Sequence, residues 1–293
     1  MTLHFMERIA LEDDGPEGAA DDPVFCVHGL GGSGNIWIPM MAALARHRVL
    51  RIDLPGSGLS QRAEGALSVS RFVDAALMAC ERLGIKRAHW LGHSLGTIVC
   101  QHLAVMAPER VSSLALFGPL LAPADAARQG LKARALKARH EGVTGMHSIA
   151  LQTVQAALSR ETRERNPLAV SFVRDALMRG DPEAYARSCE ALAAAQPAYV
   201  DRITAPVLLV TGDEDAVAPP QGLRSLADRM QSSLNLRSVV LPRCGHWTTL
   251  ERPDECGRAW TEFMGSVSRL PRRRSGTAVH RAERVHRAER VYG

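Results

Sequence analysis

The sequence predicts an α/β fold, a doubly wound and mostly parallel sheet with an all-helical insertion. Two observations carry this. From Pro23 to Phe117 short apolar runs alternate with helical patterns, as strands covered on both faces and their crossover helices do. At Leu120 the alternation gives way to roughly 80 residues of helical pattern alone, about half a typical domain, and it resumes at Pro206.

Each element follows from its residues. Pro23–Val27 is a buried strand running into the glycine-rich His28-Gly29-Leu30-Gly31-Gly32. Ile36–Arg46 reads as a helix with Pro39 in its first turn. Arg48–Asp53 is a strand that ends in the loop Leu54-Pro55-Gly56-Ser57-Gly58-Leu59-Ser60. Apolar Val69, Phe72, Val73, Ala76, Leu77 and Cys80 give Ser68–Leu83 one apolar helical face, and Gly84 caps it. Arg87–Gly92 is a strand, and Leu95–Met106 is a helix apolar almost all round, hence buried. Val111–Phe117 is the next strand. Helices are expected at Ala124–Arg139, Gly145–Leu158, Leu168–Met178 and Pro182–Ala195. A strand at Pro206–Thr211, a helix at Gln221–Met230, a strand at Leu236–Leu241 and a helix at Pro253–Ser266 complete the body. The division expected is a core of residues 1–118 and 201–268, a helical lid over 119–200, and a tail from 269 to 293.

The formal charge of +5 is misleading. Arg269–Gly293 holds eight arginines and two glutamates, so residues 1–268 are close to neutral. No nucleic-acid partner is expected. The tail repeats Val279–Arg284 at Val285–Arg290, and a solvated extension is expected there. No run is apolar enough to span a membrane, and the N-terminus has no basic-then-apolar leader, so a cytoplasmic protein without a membrane partner is expected. Six scattered cysteines without a C-x-x-C pair read as reduced core residues, not a metal site.

The chemistry centres on Gly92-His93-Ser94-Leu95-Gly96. A serine hydroxyl is a poor nucleophile unless a base takes its proton and a carboxylate orients that base. Ser94 falls on a strand-to-helix turn, where glycines at 92 and 96 let strand and helix cross closely. The helix opening at Leu95 aims free N–H groups at developing negative charge. His246 follows the strand Leu236–Leu241 and is the candidate base. Asp213, Glu214 and Asp215 are adjacent candidate acids.

With these motifs the chain resembles the α/β-hydrolases over about residues 20 to 266. His28-Gly29-Leu30-Gly31 is similar to their oxyanion loop, and Asp53-Leu54-Pro55-Gly56-Ser57-Gly58-Leu59-Ser60 to their D-x-x-G-x-G-x-S loop. Gly92–Gly96 matches their nucleophile elbow, Gly212-Asp213-Glu214-Asp215 their acid loop, and Gly245-His246 their histidine loop. The resemblance implies Ser94 as nucleophile, His246 as base and Asp215 as acid, with Asp213 next in line. It implies oxyanion donors at the Leu30 and Leu95 amides, and neither metal nor organic cofactor. His28 would order its loop, and Asp53 its turn. Trp37 and Trp247, beside the oxyanion and histidine loops, are candidates to line the substrate pocket.

Glu141–Met146 and Asp181–Leu192 resemble the lid of 3-oxoadipate enol-lactonases, although Leu95 and Thr97 stand where those enzymes commonly carry Met and Gly. A lactonase of that kind must hold a substrate carboxylate, for which Arg128, Arg134, Arg139 and Arg187 are candidates. The expected partner is a small-molecule ester or lactone. C–C bond hydrolysis, cofactor-free perhydrolysis or oxygenation on the same triad, and a non-catalytic ligand-binding module stay open.

Overall fold

A computed structural model describes residues 1–15, 22–60 and 65–270. Eight strands form one sheet in the order β1-β2-β4-β3-β5-β6-β7-β8. They are β1 (Thr2–Met6), β2 (Ile9–Asp14), β3 (Val24–Val27), β4 (Val49–Ile52), β5 (Ala88–His93), β6 (Val111–Phe117), β7 (Val207–Gly212) and β8 (Leu236–Leu241). From β4 to β8 all neighbours are parallel. The hairpin β1–β2 adds an antiparallel edge that the sequence reading did not place. Its residues form no long apolar run, and ion pairs bind it to the next strand: Asp13 meets Arg48 at 2.6 Å, and Arg51 meets Glu12 and Asp14 at 2.7 and 2.6 Å.

Helices cover both faces. On one lie α2 (Val69–Arg82), α3 (Leu95–Met106) and α8 (Pro220–Arg229), packing Phe72, Val73, Ile98, Leu103, Leu223 and Leu226 onto the strands. On the other lie α1 (Met41–Leu44), α9 (Thr248–Glu251) and α10 (Pro253–Val267), with Trp260 and Phe263 at the centre. Ser68 caps α2 by accepting the Arg71 N–H. The helix expected over 36–46 is instead a 3₁₀ stretch, Gly34–Met40, followed by the single turn of α1. Pro39 offers no N–H to an α-helical ladder at that point.

Between β6 and β7 the chain is helical throughout, as α4 (Asp125–Ala157), α5 (Arg160–Arg165), α6 (Pro167–Met178) and α7 (Pro182–Ala194). The two helices expected at 124–139 and 145–158 are the halves of α4, broken at Gly142, whose φ of 57° only glycine adopts without strain. The six-residue α5 was not anticipated; Arg-Glu-Thr-Arg-Glu-Arg has no apolar face. The repeat at 279–290 lies outside the described residues.

The chain leaves β3 to form β4 on one side and returns to form β5 on the other. The loops after β3 and β5 therefore part at the carboxyl edge of the sheet, where ligand sites of this architecture form.

Candidate active site

Three side chains from the ends of β5, β7 and β8 meet in one chain of hydrogen bonds. Ser94 Oγ donates to His246 Nε2 at 2.8 Å, and His246 Nδ1–H donates to Asp215 Oδ2 at 2.8 Å. An ionised carboxylate only accepts, so Nδ1 carries the proton and Nε2 is free to take one from the serine. All three are buried.

Each member is held by its own stretch of chain. Ser94 has φ 52° and ψ −117°, strained for a residue with a Cβ, and its N–H donates to the Phe117 carbonyl at 3.0 Å. The turn closes only because position 96 is glycine, where a Cβ would collide with the Val27 carbonyl. Asp215 accepts the N–H groups of Val217 and Ala218 on Oδ1 at 2.8 and 2.7 Å. Burial alone would raise its pKa, but the His246 ring and these amides outweigh that and hold it below the ordinary carboxylate value. The neighbouring acids face elsewhere. Exposed Asp213 accepts the Cys244 N–H, and exposed Glu214 accepts the Arg160 N–H.

The main chain of His246 is pinned at both ends. Its N–H donates to the Ala157 carbonyl at 2.7 Å, and its carbonyl accepts from His93 Nε2 at 2.8 Å. Burial first, and then repulsion from the His246 ring whenever that ring is protonated, hold His93 neutral, with its pKa lowered to about 3. His93 thus ties the turn around Ser94 to the histidine loop. His28 orders its loop as expected, accepting the Leu54 N–H on Nε2 and donating from Nδ1 to the Gly29 carbonyl. Asp53 likewise ties its turn through the Gly34 and Leu59 N–H groups. Position 29 admits no side chain, since a Cβ there would stand 2.8 Å from Ser94 Cβ and 2.9 Å from His93 Nδ1.

Above the triad lies a cavity of about 800 Å³, walled by the helical insertion and the loops after β6 and β7. Ser94, His246, Leu30 and Trp247 line it, and most of its other walls are alanine, leucine and proline. Leu30 lies in the loop after β3, and among the described residues its amide makes no backbone hydrogen bond; Leu95 opens α3 directly after Ser94. Trp247 lines the cavity. Trp37 does not; it is fully buried, edge-on to Phe117 with ring centroids 5.6 Å apart, and belongs to the core beneath the site. It follows the His28–Gly32 loop in sequence, but the 3₁₀ stretch Gly34–Met40 buries its side chain in the core.

A match to the alpha/beta hydrolase fold family spans residues 22–253. The chain belongs to that family. Within it, a Mycobacterium tuberculosis protein that carries a non-heme bromoperoxidase name is 30% identical over 270 residues, covering 89% of this chain and 99% of its own. The enol-lactonase of Burkholderia xenovorans LB400 is similar in structure, with a TM-score of 0.80 at 28% identity over 90% of this chain and 100% of its own. A thermophilic esterase from Thermogutta terrifontis, solved with malate bound, has a TM-score of 0.80 at 25% identity over 88% and 93%. No helix among the described residues of this α/β-hydrolase is long and apolar enough to cross a membrane.

Proposed function

We propose that this α/β-hydrolase cleaves small carboxylic esters or lactones through an acyl-enzyme on Ser94. The observation that supports the reading most is the continuous Ser94–His246–Asp215 chain opening onto an apolar cavity. Ser94 Oγ attacks the substrate carbonyl while its proton passes to His246 Nε2. The new oxyanion is stabilised by the Leu30 and Leu95 amides, at the N-terminus of α3 in the latter case. His246 returns the proton to the departing alkoxide, which in a lactone stays tethered to the acyl group. Water, deprotonated by His246, then attacks the acyl carbon and releases the acid and Ser94. Asp215 keeps the imidazole in the required tautomer throughout. The likeness to an esterase and an enol-lactonase supports the same chemistry.

The walls narrow the substrate. Among the four candidate arginines, Arg128 bonds the Ala193 and Ala195 carbonyls, and Arg139 and Arg187 pair with Glu183. Arg134 alone of the four lines the cavity, half-buried, with no carboxylate paired to it among the described residues and no acid among the cavity walls. The Tyr185 phenol lies beside it. An acid-bearing ester or lactone complements this wall. A panel of 4-nitrophenyl esters and lactones tests the reading, with Ser94→Ala as control. Turnover lost on that change supports it; activity within about tenfold of the parent contradicts it. For the wall, Arg134→Gln lowers kcat/KM about 10- to 100-fold for a mono(4-nitrophenyl) dicarboxylate. The methyl-esterified counterpart changes little; equal losses on both would remove Arg134 from recognition.

The bromoperoxidase-named relative favours one second reading, in which hydrogen peroxide in place of water takes the acyl group and leaves as a peracid. Peracid formation from a simple carboxylic ester in added peroxide measures it directly.

A further inference from the structure

Glu251 is a buried carboxylate, 3% exposed, at the end of α9. None of the steps above uses it. No cation pairs with it among the described residues; the adjacent Arg252 is taken by Glu161 at 3.0 Å. Burying an ion without a counter-ion is costly unless hydrogen bonds replace its water. Here they do. Oε2 accepts the N–H of Ser159 at 2.8 Å and that of Gly245 at 3.1 Å, and Oε1 accepts the N–H of Trp247 at 3.2 Å.

The donors are not arbitrary. Gly245 and Trp247 are the two residues flanking His246, and Ser159 lies two residues past the end of the lid helix α4. The His246 N–H itself goes to Ala157, in the last turn of that helix. Gly245 sits inside the knot: a Cβ there would stand 2.6 Å from the Ala157 carbonyl, 2.6 Å from the Ser159 nitrogen and 2.8 Å from Glu251 Oε1. Only glycine lets the end of the lid, the carboxylate and the histidine loop close on one another.

A catalytic imidazole must stay within about half an ångström of its working position, and groups behind it must keep it there. We propose that Glu251 is the positioning residue for His246, and that through Ser159 it joins the helical lid to the triad. The inference rests on the role of His246 given under the proposed function. Asp215 sets the ring's tautomer, while Glu251 sets the main chain from which the ring projects. Lid and base are therefore one mechanical unit at this point, with the break in α4 at Gly142 separating it from the half of the lid that carries Arg134.

Glu251→Gln tests this. An amide matches at most one of the two oxygen positions and turns an N–H against an N–H at the other. The expected result is a kcat per labelled site about 10- to 100-fold lower, with KM within about threefold. Fluorophosphonate labelling of Ser94 slows in step. Parental kcat and labelling rate in a folded Glu251→Gln protein overturn the proposal, even if its melting temperature falls, because a purely structural strut would move only the latter. Should that variant not fold, Ser159→Pro decides. Ser159 has φ −62°, which proline adopts, and Leu158 before it is extended, so the backbone admits the change; it removes the N–H donor together with the hydroxyl that caps α5 at Thr162, and Ser159→Ala, which loses only the cap, is its control. Ser159→Pro is expected to lower kcat about 3- to 10-fold, and an unchanged kcat overturns the link. Labelling of the parent, absent in Ser94→Ala, is the separate check on the hydrolase reading; if it fails, the reading falls irrespective of Glu251.

Discussion

Ser94 carries a stored strain that its neighbours enforce. Its φ of 52° and ψ of −117° cost on the order of 1–3 kcal/mol for a residue with a side chain. Replacement by glycine relieves this and replacement by alanine does not. Ser94→Gly should therefore be more stable than Ser94→Ala by about 1 kcal/mol in urea denaturation, after the entropy of glycine is allowed for. Equal midpoints would place the strain elsewhere. Gly29 works from the other side of the serine. Gly29→Ala should push on Ser94 and His93, lowering kcat about 100-fold for a stability loss of only about 1–3 kcal/mol. Trp37 gives the contrasting case. Trp37→Ala empties a core position behind the site and should cost about 3–5 kcal/mol of stability while leaving KM within about threefold; a large rise in KM would return it to the pocket.

At the scale of elements, legibility followed how local each signal was. β3 to β7 are short buried runs, and their neighbours on both faces are helices, so period and composition alone show them. β1 alternates polar and apolar residues weakly at an exposed edge and pairs only with β2, which is itself tied to Arg48 and Arg51, 35 or more residues away, beyond any window of sequence. The stretch at 34–44 shows apolar residues at helical spacing, yet Pro39 turns it into 3₁₀ backbone. The triad was legible because Ser94, Asp215 and His246 each sit just beyond a strand in a glycine-marked loop. Glu251 was not, because its use depends on Ser159, 92 residues away. Gly142 separates the two halves of α4 with open space around it. Gly142→Ala thus meets no clash, only the cost of its φ 57° and ψ −131°, about 1–3 kcal/mol of stability by thermal unfolding.

Over the whole molecule, two buried histidines tie stability to pH. Burial is the main cause of the lowered pKa of His28 and of His93, the latter to about 3 from an ordinary 6.5. The unfolded chain then binds more protons than the folded one between these values. Stability is complete above about pH 6.5 and declines as pH falls toward 3. Asp215, held below its ordinary value of 3.8, adds stability above that pH that is lost as pH falls further. Urea midpoints should drop steadily from pH 6.5 to 4, and His93→Gln should flatten that slope; identical slopes would mean His93 does not titrate on unfolding. The proposed chemistry turns on one covalent bond, from the acyl carbon to Ser94 Oγ. The most direct measurement is mass spectrometry of the protein quenched in acid during turnover of a 4-nitrophenyl ester. An acyl group on the peptide containing Ser94, absent from Ser94→Ala, is the predicted result. An acyl group on another residue, or undiminished turnover by Ser94→Ala, would contradict it.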